Sequence, residues 1–129
     1  RDIYLHVHST HEAVEKIFAY EPRAKILWAH AGMSDPPDLV ARMFDRYDNL
    51  WVDISIREYD IAPQGKLAPD WEKLFLEHPD RITVGSDTWV NAQWDNYEKI
   101  IAFDRNWLAQ LPPGVAKKIA FDNASRLFE

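Results

Sequence analysis

The sequence contains no cysteine, so disulfide bonds and thiolate chemistry play no part in its stability or function. It also has no run of about 18 apolar residues, the length that a transmembrane helix requires, and no signal-peptide pattern. Basic residues are in the minority, with 15 Lys and Arg against 21 Asp and Glu and a formal net charge of −6. These deficits argue against nucleic acid and membrane partners and leave a cytoplasmic location as the expectation.

The remaining composition is that of one globular domain. The chain has 129 residues, of which 47% are hydrophobic and 28% are charged, so it can bury a core and is too apolar to be disordered. We therefore expect a single domain over residues 1–129. The chain opens on Arg1 and Asp2, without a Met and directly before a predicted strand, which is typical of a part of a longer protein.

Apolar periodicity predicts four strands that alternate with helices. Runs of β-branched and aromatic residues favour strands, and apolar residues three or four positions apart favour helices. The predicted strands cover residues 3–8, 25–30, 50–55 and 81–87. The first predicted helix covers residues 10–20, and the second and third begin near 35–37 and near 70. A long helix covers 92–111 and a short one 115–121, followed by a last turn at 122–128. A loop is predicted at 56–68.

This element order predicts an α/β fold with parallel strands. Each crossover is long enough to return the chain in the same direction. Strands that recur roughly every 20 to 35 residues match the βα units of a barrel or of a doubly wound sheet. Four such units are present, whereas a closed (β/α)8 barrel needs eight, so an isolated four-stranded sheet would leave two exposed edges.

Polar side chains stand at the end of each predicted strand, where parallel α/β folds carry their functional residues. Gly32 follows the second of these strand ends and permits a sharp turn there. Imidazole nitrogens and carboxylate oxygens are the ligands that zinc and similar divalent ions prefer. In chain order, the strand-end residues are His8 or His6, His30, Asp53 or Ser55, and Asp87.

Each of these residues also has a purely structural interpretation. His6 and His8 share one face of a strand, and the strand end favours His8 as the ligand, with His6 as a hydrogen-bonded polar group. Asp87 could instead cap the segment that follows it. Asp53 is expected to make a structural hydrogen bond, and His30 alone could be a satisfied polar group.

Four further residues complete the set of candidates. Trp89 is expected near the mouth of a pocket, because it closely follows Asp87. Arg57, in the loop after the third strand, could pair with a substrate carboxylate or simply be solvated. His11 and His78 are interpreted as surface residues on helices.

At these positions the sequence resembles the amidohydrolase superfamily, in its amidohydrolase-related ("amidohydrolase 2") branch of TIM-barrel metal-dependent hydrolases. The resemblance covers nearly the whole chain. The matching motifs lie at residues 5–8 with 12–14, 26–32, 50–55, 84–88 and 123–128. They look like strands five to eight of the family's barrel, which implies a (β/α)4 half barrel followed by C-terminal helices.

The resemblance also implies roles for individual residues. His8 stands at the strand-five metal-ligand position, and His30 at the histidine that binds a second metal or polarises the substrate. Asp87 stands at the aspartate that contacts the metal and acts as general base. A divalent metal, zinc first, is therefore the implied cofactor, and His6, Arg57 and Trp89 are the candidates for binding the substrate.

The family's first strand carries a further His-x-His pair, and strands one to four are absent here. We therefore expect a half barrel that is inactive alone, unless a preceding N-terminal half or a second copy in a homodimer completes it. The expected reaction is attack of water on a C–N or C–O bond of a small substrate. The alternatives are a non-oxidative decarboxylase of the same superfamily and a non-catalytic α/β binding or assembly module.

Overall fold

The computed structural model describes residues 3–128 of the chain. Its centre is a sheet of four short strands, which are all parallel and lie side by side in chain order. They are β1 (Leu5–Val7), β2 (Ile26–Trp28), β3 (Leu50–Asp53) and β4 (Ile82–Thr83).

Eight α-helices connect and follow the strands in the described part of the chain. Several begin with proline in the first turn, where its missing N–H costs no hydrogen bond. They are α1 (His11–Tyr20), α2 (Pro37–Arg46), α3 (Glu58–Ile61), α4 (Pro69–Glu77), α5 (Asn91–Trp94), α6 (Tyr97–Leu108), α7 (Pro113–Lys117) and α8 (Asn123–Phe128).

The strand order confirms the predicted parallel α/β fold and is that of part of a TIM barrel. In a doubly wound sheet the order of the strands reverses at a switch point, whereas here each strand pairs with the next one along the chain. Right-handed crossovers that always step in one direction place their helices on one face of the sheet. The opposite face corresponds to the interior of a barrel.

The two faces of the sheet differ in chemistry, as the alternation of side chains along each strand requires. On the helix side, completely buried residues of neighbouring strands lie in register, with Ile26 opposite Leu50 and Val52 opposite both Trp28 and Ile82. The other face is more polar. It carries His6 beside Leu27 and Asp53 beside Thr83.

Several predicted boundaries are wrong, because other hydrogen bonds end or interrupt the expected elements. The fourth strand was expected to reach Asp87, but it ends at Thr83 because the N–H of Val84 donates to the carbonyl of Ile119 instead of to a strand. The helix predicted over residues 92–111 is broken, since the side chain of Asn96 donates to the carbonyl of Ala92 at 2.9 Å and α6 starts after it.

Two other segments are more helical than predicted. The loop expected over residues 56–68 contains α3 and a 3₁₀ turn at Pro63–Gly65. The short helix expected at 115–121 starts earlier, at Pro113, and continues through a wide π turn at Lys118–Asp122 into α8. The helix expected to begin near residue 70 begins at Pro69 with Ala68 as its cap residue, so Asp70 lies inside its first turn. None of the helices in residues 3–128 has the length and apolarity needed to cross a membrane.

Candidate active site

A cavity of about 410 Å³ opens on the polar face of the sheet, at the carboxyl ends of the strands. It brings together the strand-end groups that the sequence singles out at all four strands, from β1, β2, β3 and the segment after β4. The cavity is lined by His6, His8, Leu27, Ala29, His30, Asp53, Ser55, Thr83, Val84, Gly85, Asp87, Ala124 and Phe128.

His30 is held in one orientation by the end of β3. Its ring is buried, and Nδ1 lies 3.1 Å from the carbonyl oxygen of Ser55 and 3.0 Å from the Ser55 hydroxyl. A carbonyl oxygen can only accept, so Nδ1 carries the proton and donates it there. In this tautomer the lone pair of His30 is on Nε2. This atom makes no hydrogen bond to a described residue and is accessible from the cavity.

His8 completes a pair of imidazoles. The rings of His8 and His30 meet edge to face, with their centroids 4.8 Å apart and their planes at 79°. His8 itself is exposed and makes no hydrogen bond to a described residue. The two histidines therefore converge, as predicted, at the carboxyl ends of the strands that border the cavity, which we call the rim. His30 is fixed by hydrogen bonds, whereas His8 has none to a described residue.

Asp53 and Ser55 form the hydrogen-bonded base of this rim. The Asp53 carboxylate accepts from the Ser55 backbone N–H at 3.1 Å, from the Ser55 hydroxyl at 2.5 Å and from His6 Nε2 at 2.9 Å. Because the Ser55 hydroxyl donates to Asp53, its oxygen remains free to accept from His30. The structural hydrogen bond expected of Asp53 is present, and His6 is the polar partner.

Asp87 lines the same cavity from the loop after β4 and is half-buried. Its carboxylate makes no hydrogen bond to a described residue. The interpretation as a helix cap is wrong, because α5 begins only after Val90. Asp87 is therefore available to a ligand in the cavity.

The backbone is strained after three of the four strands. His30 follows β2 with φ 57°, Ile56 follows β3 with φ 59°, and Asp87 follows β4 with φ 49°. Left-handed φ is uncommon for residues other than glycine, and it is an outlier for a β-branched residue such as Ile56. Such strain concentrates at functional sites, where the surrounding structure maintains it.

Gly85 allows two segments of the rim to approach each other closely. A Cβ added to Gly85 would lie 3.3 Å from the Cβ of Ser55 and 3.8 Å from Asp53 Oδ1. Any larger residue would press on the pair that holds His30. The sequence shows Gly85 but not what lies opposite it, so its role was not predicted.

Arg57 is neither a solvated loop residue nor part of the cavity lining. It is only 4% exposed, and its guanidinium donates to the backbone carbonyls of His30, Ala31 and Asp35. The solvated interpretation is therefore wrong. The arginine lies behind the rim, on the backbone of the loop that carries His30.

The remaining candidates lie outside the cavity. Trp89 is 76% exposed and does not contribute to its lining. His11 and His78, which were expected to be surface residues, are both half-buried. The Nδ1 of His11 lies 3.1 Å from Asp35 Oδ1, and the ring of His78 packs 5.1 Å from that of Phe44.

The donor set suits a divalent metal in type but does not complete a site. Within residues 3–128, no three His, Asp or Glu side chains are close enough together to hold a metal ion. His8 and the free Nε2 of His30 supply two nitrogen donors at one place, and Asp87 lies on the same cavity. A further donor or a movement of Asp87 is needed before the ion is firmly held.

Comparison with known proteins gives one positive result. A protein-family model described as amidohydrolase matches residues 1–129, which is the entire chain. No curated protein matches the chain.

Proposed function

Because the chain belongs to the amidohydrolase family, we propose that its cavity is part of the active site of a metal-dependent hydrolase. The reaction is attack of water on a C–N or C–O bond of a small substrate. The observation that carries the proposal is the convergence of His8, His30 and Asp87, from three different strand ends, on one cavity.

His8 and His30 are the proposed ligands from this chain, with zinc as the first candidate because both donors are imidazole nitrogens. A bound divalent ion would supply Lewis acidity, which polarises the scissile bond and lowers the pKa of the attacking water. Asp87 is the proposed third participant. All three assignments keep the roles that the family resemblance implies.

The side chains of this chain have separate tasks in the proposed reaction. Asp87, whose carboxylate has no described partner, accepts the proton of the attacking water and returns it to the leaving group. His30 presents Nε2 to the cavity and orients either the ion or the substrate carbonyl. Asp53 and Ser55 keep the proton of His30 on Nδ1, so that Nε2 stays free.

We also propose that the sheet is completed into a ring, by a preceding half of the protein or by a second copy of this chain. The support is the parallel strand order, in which β1 and β4 each pair on one side only within the described residues. The polar inner face supports it as well, because the side chain of His6 on this face is 62% exposed. Light scattering over a wide concentration range tests the homodimer, and a monomer throughout would exclude it.

Zinc titration of the 129-residue chain tests the site directly. We expect weak binding that falls at least about tenfold in His8→Ala and in His30→Ala, since each removes one of two nitrogen donors. His78→Gln, outside the cavity, is the matched control and should bind as the wild type does. Equal zinc binding in all three variants would refute the ligand assignment.

Activity tests the base. In the completed enzyme, Asp87→Asn should lower kcat by about 100-fold or more, because the amide cannot accept the proton. Asp95→Asn, outside the cavity between α5 and α6, serves as the control. Full activity of the Asp87 variant would exclude its role as general base.

A further inference from the structure

The chain adopts an unfavourable backbone directly after β2. His30, Ala31, Gly32 and Met33 all have positive φ, at 57°, 46°, 79° and 69°. Glycine adopts this region freely, but the other three residues are destabilised there because their Cβ atoms crowd the backbone. Consecutive left-handed residues of this kind persist only where other interactions hold them.

One buried side chain bonds the carbonyl groups of this turn. Arg57 Nη1 donates to the carbonyl of His30 at 3.0 Å and to that of Ala31 at 3.2 Å. Its Nη2 donates to the carbonyl of Asp35 at 2.9 Å, where the turn ends. The planar guanidinium thus connects the start of the left-handed run to Asp35, two residues after its end, which a single ammonium group cannot do.

Arg57 is itself held rigidly. Its Nε donates to Asp60 Oδ2 at 2.8 Å, and its guanidinium lies over the Trp71 ring, 5.0 Å from the centroid. These contacts compensate for the burial of the charge. The rigidly held arginine can therefore fix the position of the His30 backbone through its hydrogen bonds.

The same segment also receives the side chain of His30. Ser55, two residues before Arg57, accepts the Nδ1 proton through both its carbonyl and its hydroxyl. The residues that follow β3 therefore contact the His30 backbone on one side and the His30 ring on the other. Loss of the backbone contact would let the ring leave Ser55.

We propose that Arg57 is a positioning residue for His30. It holds the left-handed turn so that the imidazole meets Ser55, carries its proton on Nδ1 and presents Nε2 to the cavity. The importance of the His30 orientation for catalysis rests on the proposed function. The orientation itself is independent of that function and can be measured without metal or substrate.

The test is the tautomer of His30, read by NMR from the ring nitrogens in the ¹⁵N-labelled chain at a pH where the imidazole is neutral. The wild type should show a single Nδ1–H tautomer. Arg57→Met keeps the apolar stem but loses every donor, and it should lose this single tautomer in favour of a mixture. Arg57→Lys keeps the charge and should resemble the Met variant, because a single ammonium group cannot replace the several N–H donors of the planar guanidinium.

Arg42→Met is the matched control, since Arg42 is an exposed helical arginine paired with Asp38. It should leave the His30 signals unchanged. A wild-type tautomer in Arg57→Met, or full rescue by Arg57→Lys, would overturn the proposal. If the Arg57→Met variant does not fold, the wild-type spectrum still tests the proposal, because a proton on Nε2 of His30 would contradict it. An expected tautomer without zinc binding would contradict the proposed function and leave the positioning role standing.

Discussion

The two middle strands and the two outer strands end in similar residues but hold them differently. After β2, His30 is 5% exposed and donates to two acceptors, and after β3, Ser55 and Asp53 are bonded to one another. At the outer strands, His8 is exposed and Asp87 has no partner among the described residues. A middle strand is supported from both sides, whereas an outer strand has a neighbour on one side only. The middle of the rim is thus preorganised, and its flanks are left for a ligand or for further strands to order.

The largest expected effect comes from breaking the turn in the middle of the rim. A Cβ on Gly32 would overlap the Asp35 carboxylate and the Trp28 ring, at a φ of +79° that side chains avoid. Gly32→Ala should therefore lower the free energy of unfolding by about 3 kcal/mol or more in denaturant titrations.

Gly114→Ala is the control for this substitution. Within residues 3–128, a Cβ at Gly114 in α7 would meet no atom within 4 Å apart from its chain neighbours and the backbone of its own helix. Alanine there should be neutral or stabilise the chain by up to about 1 kcal/mol. Equal losses in the two variants would show that the turn after β2 is not specially constrained.

The second prediction concerns the two buried carboxylates and the number of hydrogen bonds that stabilise the charge of each. Asp53 and Asp104 are 7% and 8% exposed, but Asp53 accepts three hydrogen bonds and Asp104 one, from Trp107 Nε1 at 3.0 Å. Burial raises the pKa of Asp104 to about 6, helped by the nearby charge of Glu58 and opposed by the Trp107 hydrogen bond.

The sign of the effect follows from this raised pKa. Between the ordinary value of 3.8 and about 6, the folded chain binds more protons at Asp104 than the unfolded chain does, so this group lowers stability as pH rises. Asp104→Asn should match the wild type below about pH 4 and exceed it by about 2 kcal/mol above pH 7. Denaturation across this pH range is the measurement. A constant difference at every pH would contradict the prediction.

The smallest expected effect compares one residue from each part of the rim. Ser55→Ala removes the hydroxyl between Asp53 and His30 and should lower the free energy of unfolding by about 1–2 kcal/mol. His8→Ala removes an exposed ring without hydrogen bonds and should change it by less than about 0.5 kcal/mol. Chemical denaturation of both variants measures the difference. Equal destabilisation would mean that the flanks are as preorganised as the middle.

Much of this architecture is visible in the sequence. The apolar runs that contain Ile26, Trp28, Leu50 and Val52 predict buried strands, and those residues are completely buried. The alternation in β1 predicts that His6 and His8 share a face, and both line the cavity. Patterns of period two and period 3.6 are local, so local reasoning recovers them.

The contacts that shape the rim are not local. Arg57 bonds carbonyl groups 22 to 27 positions away, in a turn where three non-glycine residues adopt positive φ. Neither propensity nor periodicity predicts that conformation. The same holds for Ser55, whose role depends on the position of His30, 25 positions away. The sequence marks both residues as candidates, but their roles become visible only in the tertiary structure.

The serial order of the four strands has a consequence for how the chain assembles. Since every strand pairs with its immediate successor, each pairing closes one short crossover, and units can be added one at a time during synthesis. The attachment of α8 to β4 is different, because it is not made by neighbouring units. Asn123 donates to the carbonyls of Pro79 and Ile82, both at 2.7 Å, so α8 can bind β4 only after the 41 residues that follow Ile82 have been made.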